Sequence, residues 1–170
     1  MTLVLVRHAE PAVSPREDPR LWPLSPIGRE AASQLHDRLP RTSRWISSTE
    51  RNAYETLFYA GHSGIAVAQD RRFDEVRRDE PFDSDSNTRR RAWVQGRLDE
   101  GHAGWESPQE AAERVELAVR EYAADAGALV VATHGMVLTA WLVHGRERLA
   151  PGKAAAFWER MRFPDVIRVG

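Results

Sequence analysis

Leu3-Val4-Leu5-Val6-Arg7-His8 is the stretch that decides the architecture. Four large aliphatic residues follow one another without polar alternation, and the run ends at once in a cation and an imidazole. A short continuous apolar run predicts a strand buried on both faces, as in the interior of a parallel sheet. Ala128–Ala132 repeats the pattern and ends in Thr133-His134-Gly135. Trp45-Ile46, running into Ser47-Ser48-Thr49, reads as a third strand, Ile65–Ala68 as a fourth and Val166–Val169 as a last one.

Helical patterns fill the intervals. Ser25-Pro26 is an N-cap followed by proline at the first helical position, and Ile27, Ala31, Leu35 and Leu39 fall at a spacing of four until Pro40. A helix is expected from about residue 50 to Ala60, ended by Gly61, and another over Arg89 to Leu98. Ser107-Pro108-Gln109-Glu110 is a capping box, the strongest local signal in the chain. Ala111, Val115, Ala118, Val119 and Tyr122 give its helix an apolar face. Met136 to Val143 and Ala154–Met161 read as helices. Pro11 to Pro23 carries four prolines and reads as an irregular surface loop, and residues 79 to 88 as an acidic loop.

Alternating strand and helix predicts an α/β fold, a three-layer α/β/α sandwich on a mostly parallel sheet, in one domain over residues 1–170. In such sheets ligands bind beyond the carboxyl ends of the strands. That rule singles out Arg7-His8, Ser47-Ser48-Thr49 and Thr133-His134-Gly135. A lone histidine after a strand is usually a loop or capping residue. Two of them, one preceded by arginine and one followed by glycine, point to a shared pocket.

Composition narrows the chemistry. With no cysteine there is no disulfide, thiolate zinc site or cysteine nucleophile. The six histidines show no metal-ligand spacing, so no metal and no cofactor is expected. His36 and His62 read as surface residues, His102 as a loop residue and His144 as structural. Phosphate-binding glycine loops and the Gly-x-Ser-x-Gly elbow are absent. A formal charge of −1 gives no overall field to steer nucleic acid or membrane, and no apolar run is long enough to span a bilayer. The expected setting is cytoplasmic. Arg71-Arg72, Arg77-Arg78 and Arg89-Arg90-Arg91, interspersed with acids, read as a solvated face or an anion-attracting rim. Trp93 and Trp105 are candidates for an exposed interface or for local packing, and the oligomeric state is not readable. Phosphoryl transfer to a histidine fits what remains. It needs a nucleophilic ring nitrogen, an acid, and donors for three phosphoryl oxygens, here Arg7, a helix N-terminus and a charged His134.

The chain resembles the histidine phosphatase superfamily, the phosphoglycerate-mutase-like fold. Val6-Arg7-His8-Ala9-Glu10 is similar to its Arg-His-Gly/Ala signature. Leu24-Ser25-Pro26-Ile27-Gly28-Arg29-Glu30-Ala31, Ser47-Ser48-Thr49 through Thr56, Phe73-Asp74-Glu75, Gly104-Trp105-Glu106-Ser107 and Val130 to Gly135 resemble further family segments in family order. The resemblance implies that His8 becomes phosphohistidine, that Arg7 and His134 hold the phosphoryl oxygens, and that Glu75 is general acid and base. Asp74, Asp79 and Glu80 compete with Glu75 for that last role. One position departs from the pattern: the second phosphate-binding arginine of the family falls on Asn52. Asn52 is then a neutral donor, or Arg51 reaches in from a shifted helix start, or the pocket is weakened. The segment between Glu75 and Trp105 is too short for a cap domain, which disfavours a mutase. The expected partner is a small phosphorylated substrate or a phosphoprotein. The alternative is a phosphate-ligand binding or regulatory protein with weak or lost catalysis.

Overall fold

The structure, a computed structural model, describes residues 2–61, 63–124 and 126–170, with Glu100 described by its backbone alone. His62 lies outside these residues. The first apolar run forms β1 (Thr2–Arg7) and the second forms β4 (Ala128–Thr133); they pair in parallel, Leu3 opposite Leu129 and Arg7 opposite Thr133. β2 (Arg44–Ser47) lies beside β4 and β3 (Val67–Gln69) beside β2, both parallel. β5 (Asp165–Val169) closes the other edge, antiparallel to β1, so the order is β3-β2-β4-β1-β5.

The unbroken apolar runs reflect burial on both faces. Leu3, Leu5, Leu129 and Val131 pack into one core, while Val4, Val6, Val130 and Ala132 pack into another. The first core is roofed by α3 (Ser86–Val94), α4 (Pro108–Ala123), α5 (Gly135–Ala140) and α6 (Ala154–Arg160). The second lies under α2 (Arg51–Ala60) and the turns that follow α1 (Pro26–Ser33). The sequence therefore folds as the expected three layers. The capping box before α4 forms, with Ser107 and Glu110 satisfying each other's backbone N–H.

Several local expectations are corrected. α1 ends at Ser33 rather than reaching Leu39, because Leu35, His36 and Arg38 close tighter turns onto the carbonyls three residues back. Tightening rotates the buried face: Gly28, Ala32, Leu35 and Leu39 are buried, and Ile27, expected in the stripe, is 73% exposed. Gly28 is required there, since a Cβ would stand 2.2 Å from the Glu10 carbonyl oxygen. α3 starts at Ser86 and stops at Val94, earlier than expected at both ends. α5 passes into a wider turn over Trp141–Gly145. Trp93 is fully buried, with Nε1 donating to the Glu106 carbonyl, and Trp105 packs against the core. His102 is buried, held between Asp99 and the Arg89 carbonyl, whereas His144 is exposed. Among the described residues no helix is long and apolar enough to cross a membrane.

Candidate active site

The strand ladder continues one residue beyond the strands. His8 N–H donates to the Thr133 carbonyl (3.0 Å) and Ser48 N–H to that of Ala132 (2.9 Å). With β4 between β2 and β1, this sets Ser48, His134 and His8 side by side at the carboxyl edge of the sheet. The His8 and His134 ring centroids are 5.1 Å apart. Both rings are buried, at 8% and 2% exposure.

The surroundings of His8 select one tautomer. Its Nδ1 lies 2.8 Å from the Ala9 carbonyl oxygen, which can only accept, so Nδ1 carries the hydrogen and Nε2 keeps its lone pair. Burial lowers the ring's pKa, and neighbouring His134 and Arg7 lower it further, against the Ala9 carbonyl and Glu75, to about 3. The ring is neutral across the physiological range.

Arg7 ends β1 and donates from Nη1 to the Met161 carbonyl (2.8 Å). Burial pulls its pKa down to about 10, opposed by Glu75 and Asp165, so it stays cationic. Its Nε has no partner among the described residues. Gly135 admits the guanidinium: a Cβ there would stand 3.1 Å from Arg7 Nε and 3.2 Å from Cζ. Phe163 also packs here, its ring centroid 3.6 Å from Arg7 Cζ and 5.3 Å from the His8 ring.

Glu75 reaches the pair from the segment after β3. Thr133 Oγ1 donates to the Phe73 carbonyl (2.7 Å), and Arg114 on α4 donates to the carbonyls of Arg72 and Glu75. The Arg114 charge is balanced by buried Glu106. Glu75 Oε1 accepts from Val76 N–H (2.9 Å) and Val137 N–H (3.2 Å), which brings the carboxyl to the turn after His134. Burial alone would raise its pKa, but His134, Arg78 and these two N–H groups hold it at about 2.

The competing carboxylates are occupied elsewhere. Asp74 turns to Ser48 and Thr49, Glu80 is buried against Arg78 and Arg90, and Asp79 is exposed. Arg51 is not brought to the histidines: it donates from Nε to Glu55 (2.7 Å), and its side chain is 55% exposed. Asn52 is buried at 4% exposure, with Oδ1 unpartnered among the described residues. Sequence reasoning missed Glu50, a buried carboxylate whose Oε1 accepts from Glu75 N–H (2.8 Å) and whose Oε2 lies 3.7 Å from His134 Nε2. It also missed Phe163, which carries no motif and comes from the chain's far end. Among the described residues no three His, Asp or Glu side chains are grouped as a metal cage.

Two cavities reach this centre without His8 lining either. A cleft of about 1100 Å³ is walled by Glu50, Glu75, Arg78 and Phe82, and a smaller one of about 420 Å³ by Arg7, Trp158 and Phe163. Arg90 borders both.

A family profile described as "Histidine phosphatase superfamily (branch 1)" matches residues 3–158. No curated relative matches the chain. A mycobacterial glucosyl-3-phosphoglycerate phosphatase solved with VO3 is similar at 27% identity, over 91% of this chain and 86% of that one, with TM-score 0.70. A phosphoserine phosphatase mutant from Entamoeba histolytica in complex with phosphoserine shares the fold at 16% identity, 98% and 89% coverage and TM-score 0.72. So does phosphoglycerate mutase from Bacillus anthracis, at 18% identity, 98% and 86% coverage and TM-score 0.71.

Proposed function

The chain belongs to the histidine phosphatase superfamily, and on that premise we propose that it is a phosphomonoester hydrolase working through a phosphohistidine at His8. The observation that carries this reading is the His8 ring, neutral, with Nδ1–H given to the Ala9 carbonyl and the Nε2 lone pair free beside Arg7 and His134.

In the first step Nε2 bonds to phosphorus as the ester P–O bond breaks, and the leaving oxygen takes a proton from the Glu75 carboxyl. In the second, Glu75 takes a proton from water as the water oxygen bonds to phosphorus and the P–N bond breaks, releasing inorganic phosphate. Before substrate binds, Glu75 is a carboxylate. Its proton arrives with the substrate, since phosphomonoesters have a second ionisation near pH ~6 and an approaching phosphoryl group raises the carboxyl pKa. Arg7 and His134 are donors to the phosphoryl oxygens, and Asn52 is a neutral donor in place of an arginine. The substrate is a small phosphorylated molecule or a phosphoprotein side chain that enters by the Glu75 cleft.

His8→Ala tests the mechanism. Turnover of an aryl phosphate should vanish, together with acid-labile, base-stable labelling of the protein by substrate phosphate. Undiminished turnover in that variant would sink the proposal. Asn52 favours one second reading, a phosphate-ligand binding or regulatory protein with little catalysis. That reading expects a phosphorylated ligand to raise the melting temperature while turnover stays negligible.

A further inference from the structure

Ser48 Oγ is the junction of three hydrogen bonds in a fully buried position. It lies 2.8 Å from Asp74 Oδ1, 3.0 Å from the backbone N of Glu50 and 2.9 Å from His134 Nε2. A serine hydroxyl has one hydrogen to give and two lone pairs to offer. Asp74 Oδ1 also accepts from Thr49 N–H (2.7 Å), and Thr49 Oγ1 lies 2.9 Å from it, so that oxygen acts as an acceptor at this corner. The Ser48 hydrogen is therefore committed to Asp74. Glu50 N–H takes one lone pair of Ser48. What remains for His134 Nε2 is the second lone pair, and only an N–H can use it.

We infer that Asp74 is a positioning residue that, through Ser48, obliges His134 to carry its hydrogen on Nε2. Glu50 agrees from the opposite side, since its Oε2, another acceptor, lies 3.7 Å from the same nitrogen. The inference deepens the phosphatase reading and rests on it for its purpose. With its one Nε2 hydrogen given to Ser48, the His134 ring is held in place beside His8, and the donor it can offer a phosphoryl oxygen is the Nδ1–H of the charged ring. Free tautomer exchange would instead turn an Nε2 lone pair toward the Ser48 oxygen part of the time and release the ring from that position. A site with Asn52 in place of a guanidinium has fewer donors to spare, so the orientation of this one carries more of the transition-state charge.

The test reads the tautomer directly. Nitrogen-15 imidazole spectra of the full chain, recorded on the neutral ring without substrate, should show His134 as Nε2–H. Asp74→Ala should introduce the Nδ1–H form and lower kcat for an aryl phosphate about tenfold with KM little changed, the scale of one lost hydrogen bond. Asp74→Asn, whose Oδ1 still accepts from Ser48, should restore Nε2–H and recover kcat relative to Asp74→Ala. An Nδ1–H tautomer in the wild type overturns the inference even if Asp74→Ala does not fold. So does a folded Asp74→Ala with an unchanged spectrum. Because the spectra need no turnover, loss of the phosphatase reading and loss of this one are separate outcomes.

Discussion

The Phe163 ring centroid lies 3.6 Å from the guanidinium carbon of Arg7, and Gly135 approaches the same guanidinium so closely that a Cβ there would stand 3.1 Å from Nε. Arg7 thus meets both an aromatic face and a residue without a side chain, and its Nη1 is tied to the Met161 carbonyl. A cation over an aromatic ring gains about 0.5–1 kcal/mol where exposed, and Phe163 is 42% exposed. Phe163→Ala should therefore leave stability nearly unchanged. It should lower kcat/KM roughly threefold to tenfold by loosening the cation proposed to hold phosphate. Gly135→Ala presses a methyl on the same group and should reduce kcat further. Steady-state kinetics with melting curves separates these effects, and unchanged kinetics in both variants would show that these two contacts do not position Arg7.

Acid should destabilise the protein through the site itself. His8 has a folded pKa of about 3 against an ordinary 6.5, and Glu75 about 2 against 4.5. In both cases the folded state binds fewer protons than the unfolded chain, so stability is complete above the ordinary value and is lost as pH falls toward the folded one. Melting temperature should begin to fall below about pH 6.5 because of His8 and fall further below about 4.5 because of Glu75. His8→Gln removes the first component. Its melting temperature should be flatter than the wild type's between pH 6.5 and 4.5, and an identical slope would contradict a depressed His8.

Catalysis should show the complementary behaviour. Because His8 stays neutral down to about pH 3, the acid limb of kcat/KM should not report its protonation. It should track the second ionisation of the substrate phosphate, near ~6 for ordinary esters. Two substrates whose phosphate ionisations differ should give acid limbs displaced by that difference. A limb fixed near the ordinary imidazole value for both would place a free histidine in the rate equation.

Under the proposed mechanism Asn52 stands where a second phosphate-binding arginine would. Its side chain is buried, its Oδ1 has no partner among the described residues, and nearby Arg51 is committed to Glu55. Asn52→Arg should tighten inhibition by inorganic phosphate or vanadate by about one to two decades, the worth of one charge-assisted contact. The arginine must fit a packed position, so a lower melting temperature is expected alongside. Tighter inhibition with no gain in turnover would favour the ligand-binding reading, and no change in inhibition would show that the position does not face phosphate.

What was legible in the sequence and what was not divides along physical lines. Leu3–Val6 and Ala128–Ala132 announce two-sided burial, and the strand-end rule then points to His8 and His134 without knowledge of their pairing. The Ser107 to Glu110 capping box is local chemistry and forms as read. The end of α1 was misread because the spacing of Ile27, Ala31, Leu35 and Leu39 assumes one helical pitch throughout, whereas the chain tightens after Ser33. Glu50 looks like any helix-leading acid until its burial against Glu75 and His134 is seen. Phe163 and Arg114 reach the centre over long sequence separations, and nothing in their neighbours' spacing encodes that.

Thr56 offers the sharpest test of how α2 supports His8. Its fully buried Oγ1 accepts from Ala9 N–H (2.9 Å) and donates to the Asn52 carbonyl (2.7 Å). Ala9 is also the residue whose carbonyl takes the His8 Nδ1–H. Thr56→Val keeps the shape and strands the Ala9 N–H in the core, which should cost about 1–3 kcal/mol and lower the melting temperature by roughly 2–12 °C for a chain of this size. Thr56→Ser keeps the hydroxyl and loses only a methyl, about 0.8 kcal/mol. If the hydroxyl fixes the peptide that orients His8, Thr56→Val should lose kcat while Thr56→Ser keeps it, although both are less stable. Equal kcat in the two variants at matched folded fraction would reduce Thr56 to packing.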